Sequence, residues 1–209
     1  MREAYRPLAI VAAVLGLGAW AVDLKPSSNV TGLASDIGAE RDHITAPELA
    51  DRIMHGLSSG NDTTLHIFDL RTAAEFAQFH IPGARLATIE DLVRTPLPRD
   101  ASIVLYSEGG AHAAQVWVLL RMRGYRNVLF LREGIYEWVS RVFEPRLADD
   151  ATAAERLEFK QAATRSRFFG GLPKAGVPRS EVPSGYWTGG GSDAGSGKQT
   201  IAGIRRRGC

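Results

Sequence analysis

Six residues, Ser107-Glu108-Gly109-Gly110-Ala111-His112, stand where a buried apolar run, Ser102-Ile103-Val104-Leu105-Tyr106, gives way to a helical pattern. A strand that ends in a tight, glycine-containing turn and enters a helix gathers several backbone N–H groups around one point. The helix dipole adds partial positive charge there. Such a cradle stabilises an anion and would lower the pKa of a thiol placed in it. Ser107 holds the first position, and a hydroxyl is a far weaker nucleophile than a thiolate at neutral pH. Ser107 and His112 would make a weak hydrolase pair only if His112 folded back across the loop. No third orienting group is evident, although Asp69 could lie near in space, and no Gly-x-Ser-x-Gly elbow surrounds Ser107. A structural loop serine is the preferred reading.

The one cysteine of the chain is its last residue, Cys209, beside Arg205-Arg206-Arg207-Gly208. Three fixed positive charges favour thiolate, and a flexible tail of about forty residues has a typical end-to-end distance of about 35 Å. Cys209 could therefore serve as a mobile sulfur or redox carrier. The plainer reading is a solvated basic tail that meets phospholipid headgroups. His43, His55 and His66 show no ligand spacing and no partnering cysteines, so neither a metal nor a cofactor is expected. Asp69, Arg71 and Glu75 read as a buried ion pair plus a helix cap. His80, before Ile81-Pro82-Gly83, buttresses a type II turn with Pro82 second and Gly83 third. Trp138 reads as core.

These groups must be positioned by elements that alternate along the middle of the chain. Thr45-Ala46-Pro47-Glu48 is a capping box that opens a helix with Leu49, Ile53 and Leu57 on one face. Leu65–Asp69 reads as a short buried strand. Thr72-Ala73-Ala74-Glu75 is a second capping box, a strand is expected over Ala84–Ala87, and Thr88 caps Ile89–Val93. After strand Ser102–Tyr106, a helix from Ala111 to Arg123 carries Val116, Leu119 and Leu120 and stops at Gly124. Asn127–Leu131 is another strand and Ile135–Val142 a closing helix. Strands separated by helices imply an α/β fold, a parallel sheet flanked by helices.

The ends differ from this middle. Arg2 and Arg6 precede an uncharged apolar run from Pro7 to Val22, which as a helix would span about 24 Å, slightly short of the roughly 30 Å hydrocarbon core. Residues 1–22 are expected to be a signal peptide or short membrane anchor, with the rest of the chain outside the cytoplasm. That places the chain on the inner membrane facing the periplasm, or in the periplasm if cleaved. Residues 23–42 read as a linker, 147–168 as a C-terminal helix, and 169–209 as a disordered basic tail rich in glycine and proline. The formal net charge of +2 hides an acidic body and a basic tail. The tail's basic cluster lacks interleaved aromatics, so no nucleic-acid partner is expected.

Three ordered segments resemble the rhodanese family. They are Phe68-Asp69-Leu70-Arg71 with Glu75 and His80-Ile81-Pro82-Gly83-Ala84; the run from strand 102–106 into Ser107–His112; and Leu131-Arg132-Glu133-Gly134-Ile135-Tyr136-Glu137-Trp138. The resemblance implies a rhodanese-like domain over residues 43–146, with Asp69, Arg71 and Glu75 supporting its pocket. It also implies that Ser107 stands where relatives use a catalytic cysteine and that His112 stands where many place an anion-binding arginine. Oxygen cannot store a transferable sulfane sulfur, and Glu108 adds a negative charge to the same loop. The expected role is a non-catalytic binding or scaffold module, with its protein partner unknown and its membrane contact through the N-terminal segment and the basic tail.

Overall fold

A computed structural model of the chain describes residues 28–59, 65–183 and 186–187. The apolar run Pro7–Val22, read as a signal or anchor, and Cys209, read as a thiol carrier, lie outside the described residues. Among the described residues no helix is long and apolar enough to cross a membrane. The described residues form two compact units, one drawn from the spans Met1–Ile44 and Thr63–Arg132 and one from Thr45–Asp62 and Glu133–Cys209.

The first unit is built on a five-stranded parallel sheet: β1 (His43–Ile44), β2 (Leu65–Asp69), β3 (Ala84–Leu86), β4 (Ser102–Tyr106) and β5 (Val128–Leu131), in the order β1-β5-β4-β2-β3. After Ser102, β4 is an unbroken hydrophobic run, as a strand buried on both sides must be, and Ile103 to Tyr106 are almost wholly inaccessible. Among the described residues, helices α1 (Ser28–Gly38), α3 (Ala73–Gln78), α4 (Ile89–Arg94) and α5 (Ala111–Met122) belong to the same unit. α5 buries Ala113, Val116, Trp117 and Leu120, a stripe at helical spacing, with Ile103, Leu105 and Val128 of the sheet. The Trp117 indole N–H donates to the Val128 carbonyl at 2.8 Å, satisfying the one polar atom that burial would otherwise strand.

Two expectations need correction here. Leu119 does not join the core stripe of α5; it is 41% exposed, because one residue of helix turns it about 100° away from Leu120. Residues 28–38, assigned to a linker, form α1. Leu33 is buried in the core with Trp117 and Leu120, and the Asp36 carboxylate pairs with Arg121 of α5 and, at 3.1 Å, with Arg41. A short helix with Gly32 and Gly38 in its sequence is weak alone; tertiary packing makes it form.

The second unit contains α2 (Ala46–Ser59), α6 (Gly134–Glu137) running into a π-type winding (Trp138–Phe143), β6 (Arg146–Ala148), α7 (Ala153–Phe168) and β7 (Lys174–Val177). The Thr45 box caps α2, with the Thr45 N–H donating to Glu48 Oε2 at 2.9 Å. α2 packs on the 138–143 winding and on α7, where Arg165 grips Asp51 through two bonds of 2.7 and 2.8 Å. For that reason the span 43–146, expected as one domain, is shared between both units. Leu57, in the last turn of α2, is 69% exposed, so the apolar face expected there stops one turn earlier. Trp138 is fully buried.

The tail assignment also changes. β7 pairs in parallel with β6, Leu147 opposite Ala175, so Leu147 and Ala148 are strand rather than the start of a helix. Val182, Tyr186 and Trp187 then bury themselves with Leu147, Ala148, Ala151 and Ala162. Apolar area removed from water orders this segment despite its glycines and prolines. Of the proposed tail, residues 169–183 and 186–187 are therefore folded.

Candidate functional site

β4 ends at Tyr106 and the chain enters the Ser107–His112 loop inside the first unit. Ser107 is buried, and the Gly110 N–H donates to Ser107 Oγ at 3.1 Å. The hydroxyl oxygen thus caps the turn, as a serine does three residues before an amide it satisfies. Gly110 is the N-cap of α5 with φ +89°, in the left-handed region. A Cβ there would sit 2.2 Å from the carbonyl oxygen of Arg132, at the end of β5. Only glycine lets this turn lie so close to the neighbouring strand. The initial N–H groups of α5, left without intrahelical partners, follow directly, and no acidic residue occupies its first turn.

Gly110→Ala should consequently disrupt the loop and destabilise the chain by about 2 kcal/mol or more, combining left-handed strain with backbone overlap. Chemical denaturation measures it, and a cost below about 0.5 kcal/mol would contradict the close approach. Gly109→Ala, where an added Cβ meets nothing within 4 Å, is the control.

The remaining loop residues are distributed unevenly. Glu108 is half-buried, while Gly109, Ala111 and His112 are exposed. Among the described residues His112 makes no hydrogen bond to Ser107, whose Oγ is engaged with the Gly110 amide. The base that a serine nucleophile needs is therefore not assembled beside it.

Asp69 and Arg71 come together at the end of β2. Asp69 is completely buried, and Arg71 meets it in a fork, Nε to Oδ1 at 3.0 Å and Nη2 to Oδ2 at 2.6 Å. The Arg71 backbone N–H donates to the same carboxylate at 2.9 Å, and Nη2 also donates to the Phe79 carbonyl at 2.7 Å. Burial opposes the guanidinium charge, and the Asp69 hydrogen bonds and charge outweigh it, holding Arg71 above its ordinary pKa. Glu75 closes the Thr72 capping box at the start of α3, its carboxylate accepting the Thr72 N–H at 3.0 Å.

Tyr106 is the member that sequence reasoning missed. Register sets it opposite Asp69, the Arg71 guanidinium lies 5.6 Å from its ring centre, and its hydroxyl accepts the Ile81 N–H at 3.2 Å. Burial, then the Asp69 carboxylate, push its phenol well above the ordinary range, so the ring stays neutral and able to donate. A tyrosine closing an apolar strand was the available signal, but its partner is visible only once strands are paired. Ile81 opens the Pro82-Gly83 turn, with Gly83 at φ +82° and the Ala84 N–H donating to the Ile81 carbonyl at 2.9 Å. His80 stacks on Phe76 at 4.0 Å and contacts its carbonyl.

The other histidines are dispersed. His43 contacts Asp42 at 2.8 Å. His66 meets the Arg85 guanidinium, and burial followed by that charge holds its pKa below the usual imidazole value. Among the described residues no group of three or more histidine, cysteine, aspartate or glutamate side chains is arranged to hold a metal.

Comparison with known proteins identifies the family. The family model for the rhodanese-like domain matches residues 46–141. A sulfurtransferase of Allochromatium vinosum is 36% identical over 74 residues, covering 34% of this chain and 69% of that protein. Among solved structures, the Alr3790 protein of Anabaena sp. is 31% identical, with 46% of this chain and 74% of that one covered at a TM-score of 0.40. A human single-domain sulfurtransferase is 24% identical, covering 47% of this chain and 95% of that one at a TM-score of 0.39.

Proposed function

The chain belongs to the rhodanese-like domain family, and from that membership we propose that it is a member without persulfide chemistry, serving as a binding or scaffold module outside the cytoplasm. The observation that carries this is Ser107. It ends the central strand at the mouth of the amide-lined turn, its oxygen caps Gly110, and the chain's one cysteine is Cys209 at the far terminus. Persulfide transfer needs a thiolate whose sulfur can hold and release a second sulfur; an alcohol oxygen offers neither. The retained turn still presents amide donors and a helix N-terminus, features suited to holding an anionic group of a small ligand or a partner's side chain. Asp69, Arg71 and Tyr106 support the pocket by fixing the ends of β2 and β4. The extracytoplasmic placement is supported by Arg2, Arg6 and the apolar run Pro7–Val22.

The test is thiocyanate production by the full chain from thiosulfate and cyanide. No turnover above that of Ser107→Ala is expected, and turnover that Ser107→Ala removes would overturn the proposal. Low activity abolished by Cys209→Ser would transfer the role to the terminal thiol. Ser107→Cys is expected to bring transfer above background, with a persulfide on that residue detectable by mass spectrometry. Ester cleavage lost in Ser107→Ala would instead establish a hydrolase.

A further inference from the structure

α1 and α5 leave an unusual surface on the first unit. Val30 and Ile37 of α1 are each 51% exposed, and at seven residues apart they project within about 20° of one another. Leu119 and Met122 of α5 are 41% and 56% exposed. α1 packs on α5, and the Asp36–Arg121 ion pair joins their C-terminal turns, so Ile37 and Met122 each follow a paired residue. Exposed Arg99, Arg123 and Arg126 border that corner, while Arg121 is part-buried. Arg99 donates to the Arg123 carbonyl at 2.7 Å while lying 4.8 Å from the Tyr125 ring centre, and Arg121 donates to the Arg126 carbonyl at 2.5 Å. The acidic groups nearby are Asp36, already paired, Asp100, and the exposed Glu40, whose backbone N–H donates to the Ile37 carbonyl and whose carboxylate lies 4.0 Å from the Arg132 guanidinium.

We propose that this α1–α5 face docks on an anionic lipid bilayer, with Val30, Ile37, Leu119 and Met122 in the interfacial layer and Arg99, Arg123 and Arg126 against phosphate headgroups. The inference rests on reading Pro7–Val22 as a membrane segment. Between Val22 and Ser28 lie only residues 23–27, a reach of about 20 Å at full extension, so the start of α1 stays beside the surface that holds the segment. Apolar side chains bordered by arginines are the composition that binds at such an interface. A second copy of the chain fits less well, since pairing this face with itself would bring the three arginines against their own charges.

The experiment uses the full chain with Cys209→Ser and one added cysteine, Ile37→Cys, Met122→Cys or, as control on the sheet's edge strand, Leu86→Cys. Each carries an environment-sensitive fluorophore and is reconstituted into phosphatidylcholine vesicles with or without phosphatidylglycerol. The expected result is a blue shift and quenching by lipid-borne quenchers at positions 37 and 122 but not 86, stronger with phosphatidylglycerol. Arg123→Gln and Arg126→Gln should each lower the docked-to-undocked ratio roughly fivefold. Co-flotation with positions 37 and 122 still in water overturns the docking face and leaves the anchor standing. A chain that does not float overturns both, and shielding that grows with protein concentration without vesicles assigns the face to a second copy.

Discussion

Asp69→Ala should destabilise the chain by about 3–5 kcal/mol, the range for breaking a buried ion pair by removing one partner. The reason is geometric. Arg71 is only 4% exposed at its side chain, and without Asp69 its guanidinium keeps only neutral acceptors, the Phe79 carbonyl and the Tyr106 hydroxyl. Tyr106 also loses the carboxylate that faces it. Urea denaturation of the full chain measures the change, and a loss under about 1 kcal/mol would show the pair to be dispensable. Asp69→Leu combined with Arg71→Met is informative, because replacing both charges with apolar side chains is commonly neutral or even stabilising. If the double variant is as stable as the parent, this pair was retained to hold the ends of β2 and β4 in place rather than for stability.

Trp187→Ala should cost about 3–5 kcal/mol, the usual range for emptying a large aromatic site in a core. Trp187 meets Phe159 edge-on at 5.8 Å and Tyr186 at 4.7 Å, while the Tyr186 hydroxyl donates to the Ser140 carbonyl and Arg141 lies 5.5 Å from its ring centre. This aromatic clasp closes a small core of seven buried residues, so one truncation removes much of what orders the segment after α7. Limited proteolysis should then cut between α7 and Trp187 faster than in the parent. Tyr186→Phe, which removes only the hydroxyl, should cost about 0.5–1.5 kcal/mol. Leu172→Ala, at a residue 66% exposed, should stay within about 0.5 kcal/mol. Equal stability of Trp187→Ala and the parent would mean that this segment is not part of the fold.

The two effects concern different parts of the molecule. The Asp69 network sits at the strand ends that present the Ser107 turn, so its loss should alter whatever that turn binds. The Trp187 clasp belongs to the region beyond the family match, which ends at residue 141. On the function proposed above, a chain without persulfide chemistry still has reason to keep the first. The second is an addition that gives the C-terminal segment a defined place.

What the sequence by itself determined is local. The Thr45, Thr72 and Thr88 boxes, the Pro82-Gly83 turn, the alternation of strands and helices, and the oxygen at Ser107 all depend on residues within a few positions of one another, whose side chains reach only neighbouring amides. What only the tertiary structure decided involves partners far apart in the chain. Asp69 meets Tyr106 through strand register, and Gly110 must be glycine because the Arg132 carbonyl lies beside it. α1 and the Tyr186-Trp187 clasp have weak local signals, rich in glycine, serine and proline nearby, and become ordered because Leu33, Tyr186 and Trp187 find distant apolar neighbours. Their burial free energy comes from those neighbours, which no short window of sequence contains.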